Sequence, residues 1–169
     1  MMDTGDGEIW KDVPHVAGYQ VSSIGRVRSI DRVIETTQGQ RRLQGRILRA
    51  TMKASGHMLV GLGRAHKRTV HSLVLEAFVG PCPQGHEGLH RNGVPSDNRL
   101  ENLRYGTRSE NIDDRVFHGQ TKLSVEDVLE IRRSYAANEM SGLKLAAKFG
   151  VGKSLIYHVI KGESYGCVR

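Results

Sequence analysis

The sequence predicts an α+β protein assembled from small modules, and three observations carry that reading. Short segments alternate apolar and polar residues through the first third, a helical i, i+3, i+4 spacing occupies the middle, and helix-start and helix-stop signals recur through the last third. The divisions fall at residues 1–68, 69–120 and 121–169. Modules of that size have thin cores and lean on partners or ligands.

In the first module Tyr19-Gln20-Val21-Ser22, Gly25 to Ile30 and Met58 to Leu62 read as strands, the last ending at a Gly63-Arg64 turn. Arg26 and Arg28 fall on one face of a period-two strand, and Arg41, Arg42, Arg46, Arg49, Lys53, Arg64, Lys67 and Arg68 add charge to the same region. Any one of these would be a solvated basic residue. Their density favours a DNA-contacting surface, since a twisted two-stranded ribbon can enter the major groove.

Apolar residues at 70, 73, 74, 77 and 78 predict a helix from Val70 to Phe78 that stops before Gly80-Pro81. Leu89 then leads into His90, a loop rich in Gly, Pro, Ser, Asp and Asn runs to Asn98, and Leu100 to Tyr105 reads as a short returning strand. A helix begins near Thr107 or Ser109. This order puts His90 on a hairpin arm and Asn111 on the first turn of the next helix, near enough to share one phosphate and one ion.

In the last module Ser124 and Asp127 form the outline of a capping box for a helix continuing to Tyr135. A second helix, about Ser141 to Phe149, ends at Gly150, and a third starts near Gly152-Lys153-Ser154. Two helices joined by a tight turn outline a helix-turn-helix; a plain three-helix bundle is the blander reading. Lys153, Ser154, Tyr157, His158 and Lys161 gather on and after the would-be recognition helix, which favours the DNA-reading version.

With 25 Lys and Arg against 18 Asp and Glu, the formal charge of +7 favours a polyanionic partner. Cys82 and Cys167 form no Cys-x-x-Cys pair, so neither a disulfide framework nor a cysteine zinc site is expected. Cys82 with His86 is a single metal-like pair lacking a second. With no basic-then-apolar leader and no apolar run of about 18 residues, a cytoplasmic protein without a membrane partner is expected.

The stretch from His90 through Asn102 to Asn111 points to phosphodiester cleavage. A neutral imidazole can take a proton from water near neutral pH, and an amide oxygen can help hold a hard cation against a phosphate. His71 reads as a buried structural histidine beneath that site. His57 and His66 read as surface or phosphate-neighbouring residues.

The segment from Val70-His71-Ser72-Leu73-Val74 to Asn111 resembles the HNH motif of phage and intron-encoded homing endonucleases, with their ββα-metal fold. The preceding Glu8-Ile9-Trp10-Lys11-Asp12-Val13 and Gly18 to Ser29 resemble the nuclease-associated modular DNA-binding motif, and residues 121–161 resemble the helix-turn-helix that closes such nucleases. The resemblance implies a general base at His90, a central asparagine at Asn102 that orients the histidine or braces the loop, and a metal ligand at Asn111. It implies one divalent ion, Mg²⁺ or Mn²⁺, a double-stranded DNA substrate bound by a monomer in a bacterial or phage-infected cell, and products ending in 5′-phosphate and 3′-hydroxyl.

One departure stands out. Many family members carry Asp or a comparable ligand immediately before the histidine, whereas this chain has Leu89, which cannot ligate. Asp97, Asp113 or a backbone carbonyl are candidate substitutes, with phosphate and water as the other way to complete the shell. The alternative function is a sequence-specific DNA-binding regulator whose nuclease site has degenerated.

Overall fold

In the computed structural model, which describes residues 7–63 and 66–168, the alternating segments of the first third become short antiparallel strands. β1 (Trp10–Asp12), β2 (Tyr19–Ser22) and β3 (Val27–Ser29) form a meander. The chain then leaves as an isolated two-stranded ribbon, β4 (Arg32–Thr36) and β5 (Gly39–Leu43), before β6 (Arg46–Ile47) returns to pair with β3. β7 (Thr51–Met52), β8 (Met58–Leu62) and β9 (His66–Thr69) make a second antiparallel sheet. Arg64, expected in the turn after β8 and in the basic surface, lies outside the described residues, as does the side chain of His66.

Helix α1 (Val70–Phe78) follows without a break and spans the predicted residues. It packs on β2, β8, β9, β10 (His86–His90) and β11 (Leu103–Thr107), the last two forming an antiparallel hairpin in which Leu89 faces Arg104 and His90 faces Leu103. Val21, Val27, Val60, Leu62, Leu73, Val74, Leu75 and Leu103 share one core cluster, so the apolar interior crosses residue 68 without interruption. Burial of these side chains is the main stabilising term, of order 1.5–3 kcal/mol each.

Leu100 to Tyr105 is not a uniform strand. Residues Leu100–Asn102 form a 3₁₀ turn and the strand starts at Leu103. The cause is the double use of Asn102, whose backbone N–H donates to Arg99 O while its side chain ties the preceding loop, a demand an extended backbone could not meet.

Contacts divide the chain into two compact units, the first ending at Thr107 and the second starting at Arg108. The second contains α2 (Arg108–Phe117), α3 (Val125–Ala136), α4 (Gly142–Lys148) and α5 (Lys153–Ile160). The capping box at Ser124 and Asp127 forms in both directions, and Ser141 caps α4. Gly150, at φ +63°, supplies the left-handed residue that ends α4 before the short turn into α5. Val116, Val128, Ile131, Leu145, Ile156 and Val159 build the core of this unit. Arg132 closes it by donating to the carbonyls of Val159, Tyr165 and Val168.

Candidate functional site

His90 ends β10 and is 9% exposed. The loop that follows is held by its own polar side chains. Asn92 N–H donates to Asn102 Oδ1 at 3.0 Å, Asn102 Nδ2 donates to Asp97 O at 2.8 Å, and Arg91 N–H donates to Asn102 O at 2.8 Å. Asn102 is itself buried. Its position is that of a brace across the base of the loop, and its side-chain hydrogen bonds run to the loop backbone.

Asp97 is equally committed. Its carboxylate accepts from Arg99 Nε at 2.9 Å, from Arg99 Nη2 at 2.8 Å and from Asn92 Nδ2 at 2.8 Å. The Arg99 side chain above all holds its pKa down to about 2. These bonds consume the lone pairs a cation would need.

The first sheet reaches this loop directly. Leu100 N–H donates to Ser23 O at 2.8 Å, and Gly25 sits against Asn98 so closely that a Cβ would lie 2.7 Å from Asn98 Cβ. Gly25 also has φ +83°, so glycine is required there twice over. The N-terminal strands thus set the loop beside His90.

Three histidines converge at the end of β10. The ring centroids of His57 and His71, His71 and His90, and His57 and His90 lie 5.1, 5.1 and 5.6 Å apart. His57 comes from the turn before β8, His71 from the first turn of α1. Gly88 makes room for the helix-borne ring, since a Cβ there would meet His71 Cδ2 at 3.0 Å. Burial, then the neighbouring His90 and His57, lower the His71 pKa to about 4. Burial likewise lowers that of His90, with the Asn98 side chain and Asp97 pulling the other way and His57 adding to the depression. Both rings are therefore neutral at pH 7.

His71 Nδ1, His90 Nε2 and Asn98 Oδ1 are buried without a hydrogen-bond partner among the described residues. The sequence reading placed His71 beneath the site but missed that His57 completes a cluster with it. Only the packing of three separate elements reveals that, although the Gly88 gap opposite a helical histidine was a signal.

Leu89, noted from the sequence as a residue that cannot ligate, is 3% exposed. The other predicted site residues are carried by other elements. Asn111 is on the first turn of α2 and Asp113 two residues further on, where Asp113 hydrogen-bonds the Cys167 thiol, whose pKa is raised first by burial and then by that carboxylate. Arg26 and Arg28 share a face, as alternation requires, but that face is the ring of Trp10, with guanidinium carbons 5.7 and 4.2 Å from its centroid. Arg26 also pairs with buried Glu8, and Arg28 donates to Gln20. Arg41 and Arg42 are exposed on the β4–β5 ribbon and Arg46 on β6; Arg42 reaches Asp31 at 3.6 Å. Arg32, Arg41 and Arg46 line one concave surface. On α5, Lys153, Ser154 and Tyr157 are solvent-facing, as is Lys161 at its end. Tyr157 packs over Gly142 and edge-on to Tyr135, and Lys153 Nζ lies 5.8 Å from its ring.

Residues 68–112 match the HNH endonuclease family and residues 8–63 match the NUMOD4 motif. The chain is 30% identical over 122 residues to DNA endonuclease I-HmuI of Bacillus phage SP01, an alignment covering 68% of this chain and 62% of that protein. The fold is similar to a solved structure described as "DNA binding and cleavage by the HNH homing endonuclease I-HmuI", with a TM-score of 0.53 and 23% identity over 91% of this chain and 90% of that one. The mixed α and β architecture expected from the sequence is the one found. Among the described residues no helix is long and apolar enough to cross a membrane.

Proposed function

We propose, on the premise that residues 68–112 are an HNH endonuclease region standing behind a NUMOD4 motif, that the chain is a site-specific DNA endonuclease of homing type. The observation that carries this reading is His90, held uncharged at the end of β10 within the matched region. Its neutral ring takes a proton from a water molecule as that water attacks phosphorus. The bond from phosphorus to the 3′-oxygen then breaks, and that oxygen takes a proton from solvent, leaving a 5′-phosphate and a 3′-hydroxyl. Asn102 keeps the loop beside the base in one conformation through the bonds to Asn92 and Asp97.

The divalent ion expected of such nucleases requires a donor set, and the three imidazoles around His90 do not fit a hard cation. Mg²⁺ or Mn²⁺ would instead draw on the Asn111 amide oxygen and on the DNA phosphate, where its charge would offset that of the phosphate being attacked. Asp97 and Asp113 are weak alternatives, the first because Arg99 and Asn92 occupy it, the second because it pairs with Cys167.

Double-stranded DNA, bound by one copy of the chain in the cytoplasm of a bacterium or an infected host, is the proposed substrate. The modules proposed for it are residues 1–68, 69–120 and 121–169. Arg41, Arg42 and Arg46 would follow the backbone through the exposed ribbon and β6. Lys153, Ser154, Tyr157 and Lys161 would form the reading face of a helix-turn-helix made by α4 and α5. Arg26, ion-paired with Glu8, would contribute little, whereas Arg28 keeps its charge while donating to the neutral Gln20 amide. Incubating the protein with DNA from its own locus and Mg²⁺ or Mn²⁺, then mapping ends on each strand, tests the reading. Discrete metal-dependent ends are expected. Tight sequence-specific binding with intact DNA would favour the regulator with a degenerate nuclease site, a reading for which buried Leu89 is the supporting observation.

A further inference from the structure

We propose that His57, His71 and His90 form a transition-metal site, selective for a borderline ion such as Zn²⁺, whose occupation silences the nuclease. One nitrogen from each ring lies within 4.8 Å of the other two. Zinc holds imidazole nitrogens at about 2.0–2.1 Å, which puts the nitrogens of a tetrahedral site roughly 3.3 Å apart. Closing the gap takes side-chain rotations of about an ångström. His57 is half-buried on the segment before β8 with its Nδ1 3.0 Å from Ser55 Oγ, so the movement would fall on this ring and loosen that contact.

Two features separate this cluster from three histidines that merely pack together. Buried polar atoms in native folds find partners, yet His71 Nδ1 and His90 Nε2 have none among the described residues. The cluster is also assembled by the fold from three elements, with Gly88 clearing space for His71. Nothing in its donor set suits Mg²⁺: imidazole favours zinc, nickel, cobalt or copper, whereas hard cations prefer oxygen.

The consequence follows from His90 belonging to both roles, and it rests on the reading of His90 as general base. A lone pair given to zinc cannot accept a proton from water. Cleavage supported by Mg²⁺ or Mn²⁺ should therefore be inhibited by a metal that binds elsewhere than at the phosphate, with inhibition depending on His57, a residue outside the cleavage chemistry.

The test uses the full chain and Co²⁺ as a spectroscopic probe, followed by Zn²⁺ in competition. Wild type is expected to bind one Co²⁺ with the visible absorption of nitrogen ligation, to lose that signal to Zn²⁺, and to gain thermal stability with either ion. His57→Gln should weaken binding at least about tenfold and relieve Zn²⁺ inhibition by the same factor while cleavage without zinc continues. His71→Asn should lose the Co²⁺ spectrum as well, and the melting curve of the metal-free variant shows that it is folded. Unaltered Co²⁺ binding in folded His57→Gln would overturn the site, as would absence of binding in wild type. Activation by Zn²⁺ would overturn the silencing. If no DNA is cut under any condition but the histidine-dependent Co²⁺ spectrum appears, the metal site stands and the nuclease reading fails by itself.

Discussion

The loop after His90 and the outer face of α5 are both rich in polar side chains, and they use them in opposite ways. In the loop, Asn92, Asp97, Arg99 and Asn102 are hydrogen-bonded to one another or to the loop backbone. On α5, Lys153, Ser154 and Tyr157 face solvent, and the helix owes its place to Ile156 and Val159 beneath. Polar residues that build a site are thus spent within the chain, whereas those that would meet a polyanion are left outside. Arg26 belongs with the first kind despite its charge, since Glu8 holds it.

The largest effect that separates the two regions is chemical. His90→Ala is expected to slow cleavage by roughly 10²–10⁴ while DNA affinity stays near that of wild type, because on the proposed reading the imidazole would move a proton and the exposed cations would supply binding. A gel-shift titration and a cleavage assay on one preparation measure both. Cutting at the wild-type rate would remove His90 from the mechanism. The wild-type rate should itself rise with pH through the depressed His90 pKa and level off below the ordinary histidine value of 6.5, because only the neutral ring accepts a proton.

Leu89→Asp probes the same region through stability. The leucine is 3% exposed, so an aspartate there would be a buried carboxylate, and a loss of about 2–5 kcal/mol is expected. Chemical denaturation reads the loss. A stable Leu89→Asp protein whose activity saturates at lower Mg²⁺ would instead make position 89 the vacant ligand place proposed from the sequence.

How much of this was legible depends on the range of the interaction. Helix α1 was read from its own spacing, the α3 cap from Ser124 and Asp127, and strands β2 and β8 from alternation, because each signal lies within a few residues of its effect. The β4–β5 ribbon was not recognised as a pair, since its strands are mostly exposed and carry little apolar alternation. His90 and Asn102 were found by motif. The resemblance also implied that Asn102 braces the loop, whereas the capture of Arg26 by Glu8 and the approach of His57 to His71 and His90 depend on tertiary packing that no local period encodes.

The histidine cluster also makes the first unit sensitive to acid. The His71 pKa falls from the ordinary 6.5 to about 4 on folding, so between those values the unfolded chain binds a proton that the native state refuses. Stability should therefore drop as pH falls from about 6.5 and stop dropping, for this group, below about 4. His71→Leu is expected to remove up to about 3 kcal/mol of that loss relative to its own stability at pH 7.5, leaving the contribution of His90 in the same direction. Denaturant midpoints at pH 7.5, 6 and 4.5 measure it. Parallel pH profiles for the two proteins would mean that the ring is already solvated in the folded state.

The smallest effect tests the comparison at its most exposed point. If Lys161 contacts a phosphate, Lys161→Gln should weaken binding a few-fold at low salt and reduce the slope of log affinity against log salt by about 0.9, with the preferred sequence unchanged. Arg26→Gln carries the same loss of charge but acts on a side chain hydrogen-bonded to buried Glu8 and lying near Trp10. It should lower the melting temperature by stranding the Glu8 carboxylate, and it should leave the salt slope nearly as it was. Parallel salt titrations of the two variants decide the matter. Equal changes of slope would show that an arginine committed to an internal carboxylate still reaches DNA, and the distinction between polar residues that build the protein and those that face its ligand would fail at that position.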